Sequence, residues 1–213
     1  MGSTTRWVLL ATAILALVIV PFVLFEATVE AAVAEFLASD PPRLTLGLAI
    51  VGVMAADIVL PVPSSVVATA AGTLLGVGWG SLANLVGLGI GCVIGYAIGA
   101  AGRGIAGRVV GSEQLSLAER LFERRGEIVV AVFRPIPVLA EISVVFAGVA
   151  RMGRTRFALY AMLANVGIAV AYAGIGAWAA AANEMVVAVA ASLILPGLAM
   201  LAGRLATRSE QAG

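Results

Sequence analysis

Apolar residues run along this chain in long blocks separated by short charged punctuation, and two of the blocks are broken from within. The first block, 7–25, follows Arg6 and leads directly into Glu26. A secretory signal core would be only about 7–15 residues long and would end at a small-residue cleavage site. This block is longer and contains Pro21, so it reads as a retained membrane span. Residues 26–40 are acidic and partly amphipathic, ending at Pro41, Pro42 and Arg43. Residues 44–77 are apolar but interrupted by Asp57, Pro61 and Pro63. Residues 81–101 form a cleaner helix in which Gly87, Gly91, Gly95 and Gly99 recur at every fourth position. That small-residue face suits close helix packing in lipid.

The segment 102–127 is the one with soluble character. Ser116 and Glu119 have capping-box spacing, Arg124 and Arg125 suit a helix C-terminus, and Gly126 suits the stop. The pattern predicts an interfacial amphipathic helix over 112–125, with Leu115, Ala118, Leu121 and Phe122 on its apolar face. Residues 128–133 and 138–150 flank a second break. A spanning helix needs about 20 apolar residues, so neither piece crosses a bilayer alone. Residues 157–180 are long enough to cross, 185–202 supply a last span, and the tail from Arg204 is polar.

The two breaks align. Segment 61–72 superposes without gaps on 137–148, placing Pro61 on Pro137, Val62 on Val138 and Ala71-Gly72 on Ala147-Gly148. Pro-interrupted apolar segments at corresponding places in two halves of a membrane protein point to a transport site. The expected hairpin breaks are Pro61 and Pro63 with Gly72, and Pro135 and Pro137 with Gly148. Charge stands beside each one: Asp57 at the first, Arg134 and Glu141 at the second.

Composition decides the solvent. Hydrophobic residues make up 62% of the 213 and charged residues 12%, and the mean hydropathy is +1.08. This is an all-α integral membrane chain with no separate soluble module. Every cation is an arginine, and there is no histidine. The lone Cys92 reads as a small hydrophobe. No residue set suits a metal or cofactor, and residues 95–102 lack the strand and lysine of a phosphate loop.

Cytoplasmic loops collect positive charge. The basic places are Arg6, the 103–125 segment, Arg151 to Arg156, and Arg204 with Arg208, whereas the segments after Phe25 and around Glu184 are acidic. Both termini are therefore expected inside. Segment 44–77 must start and finish outside, and segment 128–150 must start and finish inside; an even number of crossings would satisfy the same parity, and it is length that argues for re-entrance, more strongly in the second segment than in the first. The expected fold is an inverted-topology repeat of re-entrant hairpin plus transmembrane helix (44–101 and 127–180), with extra N- and C-terminal spans. Irregular backbone at that depth survives only when buried in protein or lining a wet cavity.

These residues resemble the DedA superfamily, also described as SNARE-associated or VTT-domain membrane proteins. The resemblance rests on the run from Asp57 through Leu60, Pro61, Pro63, Ser64 and Ser65 to Ala71-Gly72. It continues with Phe133-Arg134-Pro135 and Pro137, then Ala147-Gly148 followed by Arg151-Met152 and Phe157. It implies paired re-entrant hairpins in the bacterial inner membrane and transport of lipids such as undecaprenyl phosphate or phospholipids, with proton dependence. Many members carry a second arginine shortly after the one matched by Arg134, where this chain has Ala140 and Glu141; an acid often follows Pro-x-Pro-Ser, where this chain has Ser65.

The substrate-binding candidates are Arg134, Ser64 and Ser65. A guanidinium offers phosphate a planar fork of donors, and the two serines stand where they would also cap the second arm. Asp57 and Glu141 are the proton-coupling candidates; each could equally pair with or cap its neighbours. Asn84 and Asn165 read as interhelical hydrogen-bond glue, and Tyr96, Tyr160 and Tyr172 as packing or interfacial residues. The expected activity is a membrane lipid translocase taking an anionic headgroup, with protons as candidate partners, no cofactor and no nucleic acid; a homo-oligomer is compatible. The alternative is a non-transporting assembly factor. An enzyme is not expected, because the acids and serines have neither histidine nor metal beside them. Cysteines placed at Ser39 and Asn183 should react with an impermeant thiol reagent from outside, and those at Ser112 and Ser209 from inside. Labelling of Ser39 and Ser112 from one side would sink the inverted repeat.

Overall fold

The computed structural model describes residues 35–182, apart from Leu37, Leu60, Pro61, Gly111, Pro135, Pro137 and Val138, together with Ile194. The spans expected over 7–25 and 185–202 lie outside the described residues, as do the break residues Pro61, Pro135 and Pro137. The chain divides into two units at Leu46. In the first, a helical turn closes on Ser39, whose N–H donates to the Glu35 and Phe36 carbonyls and whose hydroxyl donates to Phe36 O at 2.6 Å. Asp40 then takes a left-handed backbone conformation with φ +47°.

The described structure is helical, with α1 Arg43–Ala56, α2 Ser64–Val110, α3 Ser112–Phe133, α4 Leu139–Val149 and α5 Arg154–Ala182. Two stretches are long and apolar enough to cross a membrane, Ser64–Arg108 within α2 and α5 itself. Helices α1 and α4 have 14 and 11 residues. At about 1.5 Å per residue both fall well short of a hydrocarbon core about 30 Å thick. Large apolar side chains such as Leu159, Leu163 and Val170 face outward along α5, as lipid contact requires.

Helix α2 is two arms in one continuous assignment. Gly76 interrupts it with φ +79° and ψ 173°, a conformation open to glycine and strained for any residue with a β-carbon. The arm 64–75 folds back on the arm 77–110: Asn84 Nδ2 donates to Ala68 O at 2.9 Å, and a β-carbon on Gly80 would sit 2.7 Å from Ala71 O. Pro63 starts the first arm, where its missing N–H costs nothing, and its carbonyl accepts from Val66 and Val67.

Gly72 and Gly148 were expected at hairpin breaks, and the structure corrects this. Both lie inside helices, and both are contact points. A β-carbon on Gly72 would collide with the Ala173 carbonyl of α5, and one on Gly176 of α5 with the Thr69 carbonyl. On the other side, a β-carbon on Gly148 would collide with the Tyr96 carbonyl of α2, and one on Gly99 with the Val145 carbonyl. The contacts are crossed: the short arm after the first break grips α5, and the short arm after the second grips the long arm of α2. Thr69 and Gly72 align on Val145 and Gly148 in the sequence superposition, so the two grips use the same register.

The glycine face of α2 performs as its spacing predicts. Gly87 and Gly91 seat Met54 and the α1 backbone, and at Gly95 a β-carbon would meet Ile58 at 2.8 Å and Val144 at 2.9 Å. The two breaks therefore converge on Gly95.

Helix α3 differs from expectation. It does not stop at Gly126 but runs unbroken to Phe133; Gly126 is buried against Phe122 and Met152, where a β-carbon would sit 3.0 Å from the Phe122 ring and 3.2 Å from the Met152 sulfur. Tertiary packing overrides the residue's low helix propensity. Ser116 is not a cap either: the helix already begins at Ser112, and the Ser116 hydroxyl donates back to Glu113 O at 2.8 Å. Of the expected apolar face, Phe122 is buried while Leu121 is exposed.

The C-terminus of α4 is tied down three ways. Met152 N–H bonds Ala147 O and Arg151 N–H bonds Gly148 O, with Arg151 at φ +53°, which is a Schellman stop built on a non-glycine residue. The Tyr96 hydroxyl donates to Met152 O at 2.6 Å, and Arg103 Nη1 donates to Val149 O at 2.7 Å while pairing with Glu119 of α3. Arg156 of α5 holds Glu127 of α3 at 2.6 Å.

Gly72→Ala and Gly148→Ala should each lower stability in detergent by about 1–3 kcal/mol or more, as overpacking against backbone does. Gly104→Ala and Gly167→Ala, whose β-carbons would meet nothing within 4 Å, should be neutral or raise it by up to about 1 kcal/mol. Thermal unfolding of the four variants checks the contrast.

Candidate functional site

Each break leaves an ionisable group where a short helix ends or begins. Asp57 follows the last residue of α1, and a Val59 N–H to Ala56 O bond of 2.9 Å turns the chain there. Arg134 follows the last residue of α3, and Glu141 lies in the first turn of α4. An acid in a first turn is stabilised by the exposed N–H groups and the positive end of the helix.

The fold brings these groups together. Asp57, Ser64, Ser65, Arg134 and Glu141 line one small open cavity. A still smaller recess shares Asp57, Arg134 and Glu141 and runs on past Ile58 to Cys92. The charged groups nearest Asp57 are Glu141 and Arg134, and its nearest polar neighbours are the Ser64 hydroxyl and the Val62 amide. All five candidates named from the sequence thus meet, from four different elements of the chain. Of the residues named for the breaks themselves, Pro63 is exposed beside the site, while Gly72 and Gly148 belong to the packing contacts.

Arg134 is held by one edge. Its Nε donates to Asn165 Oδ1 at 2.8 Å, and Asn165 Nδ2 in turn contacts Cys92 Sγ at 3.4 Å. Asn165 is fully buried, so it fixes the guanidinium plane from α5. Among the described residues, Arg134 makes no ion pair with Asp57 or Glu141 within 4.0 Å. Its terminal nitrogens therefore stay available toward the cavity. One oxygen of Glu141, Oε2, is buried there without a hydrogen-bond partner. Buried polar atoms rarely remain so without a water, an ion or a proton to satisfy them.

Two residues carry more of the site than their sequence reading assigned. Tyr172, read as packing, is 5% exposed and lines the cavity. Asn165, read as helix glue, does bridge helices, and it also orients Arg134. A signal for both was present: Asn165, Ile168 and Tyr172 stand at i, i+3 and i+7 of one helix face, and the last two line the cavity. Asn84, the other glue residue, ties the two arms of α2 together.

The cavity can receive an anion at Arg134 and two protons at its carboxylates. Among the described residues there is no cluster of three or more His, Cys, Asp or Glu for a metal.

A family model described as VTT domain matches residues 62–178, more than half of the chain. No curated protein and no solved structure matches it. The matched span starts beside Pro63 and closes at Trp178, so it contains both short arms and the helices they grip. Asn165→Leu should destabilise the protein by about 1.5–3 kcal/mol, the range for a hydrogen bond to a charged group. Unchanged unfolding in detergent would show that the Nε bond does not hold Arg134.

Proposed function

The chain belongs to the VTT-domain family, a membrane protein of DedA type, and we propose that it moves an anionic lipid headgroup across the bilayer through the cavity at Arg134. The observation that carries this reading is the convergence of Arg134, Asp57 and Glu141 on one cavity, with the arginine's terminal nitrogens free and one carboxylate oxygen unpartnered. An ionisable residue inside a membrane domain is costly and marks a function by default. The phosphate of undecaprenyl phosphate or of a phospholipid takes the guanidinium fork, Ser64 and Ser65 stand beside it, and the acyl or prenyl chain remains in lipid.

In this reading α1 with the 64–75 arm, and the end of α3 with α4, are two re-entrant hairpins of opposite sense. The shortness of α1 and α4, and the crossed glycine contacts in matching register, support the inverted repeat. Trp79 and Trp178 are exposed near the Gly76 end, as aromatic residues at a membrane interface are. Arg103, Arg151 and Arg156 gather at the opposite end, which the positive-inside rule places in the cytoplasm of a bacterial inner membrane.

Charge counting ties transport to protons. The cavity holds two carboxylates against one guanidinium, so with both acids ionised it repels an anion. Protonation of Asp57 or Glu141 removes that repulsion as the phosphate arrives, and release of the proton drives the headgroup out. Coupling by this route needs no direct contact between the acids and the lipid.

Reconstituted vesicles with a fluorescent anionic lipid test the proposal. Arg134→Lys keeps the charge and loses the fork; the missing charged hydrogen bond, about 1.5–3 kcal/mol, should slow lipid movement roughly ten- to a hundredfold, and wild-type movement would remove the clamp. Glu141→Gln and Asp57→Asn should flatten the pH dependence without changing unfolding. If Glu141→Gln instead costs about 3–5 kcal/mol, and adding Arg134→Gln restores stability with the pH dependence intact, Glu141 is a structural partner and carries no proton.

A further inference from the structure

The two halves of the packed core on either side of the cavity differ in chemistry. Toward the arginine-rich end, the core is a closed apolar cluster in which Val144, Ala147, Phe157 and Ala161 pack with Phe122 and Val130. Two polar groups that border that half are paired with backbone: Ser143 donates to Ala140 O, and the Tyr96 hydroxyl to Met152 O. Toward the Gly76 end, the contact between the 64–75 arm, the 77–110 arm and α5 carries Thr69, Thr73, Ser81 and Asn84 instead.

Those polar groups are only partly paired. Thr69 and Thr73 give their protons to backbone carbonyls, Thr69 to Ser65 O and Thr73 to Thr69 O and Gly176 O. Asn84 is fully buried; its Nδ2 is bonded to Ala68 O but its Oδ1 has no partner, and Ser81 Oγ is likewise buried and unpaired. Ser81 and Asn84 are i and i+3 on one helix face. The row continues straight into the cavity, because Ala68, Ser65 and Leu88, each about one turn further on, line its wall, and Tyr172 stands opposite on α5. From Ser81 to Leu88 the rise is about 10 Å.

Adjacent buried polar atoms without protein partners are satisfied in proteins by ordered water making about two to four hydrogen bonds. We infer that the seam where the two arms of α2 meet each other and α5 is a hydrated path that opens at the Gly76 end and delivers water and protons to the cavity, while the apolar cluster seals the opposite side. The groups it serves are Asp57 at the end of α1 and Glu141 on α4; they share the cavity with Arg134 from the end of α3 and the Tyr172 phenol from α5, and the titratable group that α2 adds to this lining is Cys92, in the smaller recess. Thr69 and Ser65 keep hydroxyl oxygens free to accept along the way. The assignment of the Gly76 end to the outer face, and of the delivered proton to lipid movement, rests on the function proposed above; the seam itself rests on the packing alone.

Thiol accessibility tests it on the folded protein in sealed vesicles. With Cys92→Ser as background, which keeps an acceptor for Asn165, single substitutions Ser81→Cys and Thr73→Cys probe the seam, Val77→Cys marks the exposed turn, and Val144→Cys and Ala161→Cys probe the apolar half. A membrane-impermeant methanethiosulfonate cation should modify Ser81→Cys and Thr73→Cys from the same face as Val77→Cys, at least tenfold faster than either apolar-half position from either face. Adding Asn84→Leu to Ser81→Cys, which leaves the end of the seam open, should leave that rate unchanged, whereas adding it to Ser65→Cys, beyond the block, should slow modification tenfold or more. Seam cysteines as inert as Ala161→Cys, equal reactivity in both halves, or an unslowed Ser65→Cys would overturn the path. Because the readout is modification and not transport, a wet seam in a protein that moves no lipid would remove the translocase and leave the seam standing.

Discussion

Everything in this structure depends on backbone lying directly against backbone where each short arm crosses the opposite long helix. In lipid, apolar surface gives helices no reason to prefer each other to acyl chains, so association rests on close packing and hydrogen bonds. Gly72 with Gly176, and Gly148 with Gly99, remove the side chains that would hold the helices apart. Short helices of 11 to 14 residues cannot be stable in a bilayer alone, because their ends would present unpaired carbonyls and amides to hydrocarbon. Gripped in this way, they bring those ends to the middle of the protein and enclose them.

The site is a consequence of that enclosure. Two helix ends, of α1 and α3, and two helix starts, of α2 and α4, converge on the cavity and carry the ionisable residues that flank the breaks into it. Arg134 shows how the support is layered. The unbroken α3 carries it to the cavity, and Gly126 allows that helix to stay straight against Met152. Asn165 then holds one edge of the guanidinium so that the other remains open. An arginine satisfied by both carboxylates would be a structural bridge; Arg134 is held instead by a neutral amide, and among the described residues it forms no ion pair.

The same packing divides the molecule into unlike ends. The arginine-rich end is fastened by Arg103 to Glu119 and Val149 and by Arg156 to Glu127, and its core is apolar. The Gly76 end has a tight turn, exposed tryptophans and a polar interior. Such an asymmetry suits a protein in which one side of a central cavity is closed while the other stays in communication with water.

Much of the architecture was legible in the chain itself. The shortness of α1 and α4, the four-residue glycine spacing and the charges at Asp57, Arg134 and Glu141 are local properties of the sequence, and each follows from the cost of polar groups and bulky side chains in lipid. The tertiary structure decided what depends on which face meets which neighbour. Gly72 and Gly148 resemble the end of a break in sequence, yet they are crossing points, while Gly76, which has no counterpart glycine in the second half, makes the turn. Gly126 carries the usual sign of a helix stop, but burial against Met152 reverses it. Tyr172 and Asn165 looked like packing because nothing near them in sequence is charged; only the fold, which packs α5 against α3, sets Asn165 against Arg134 and Tyr172 in the wall of the same cavity. Periodicity names the buried face of a helix, and the partner on that face is a long-range fact.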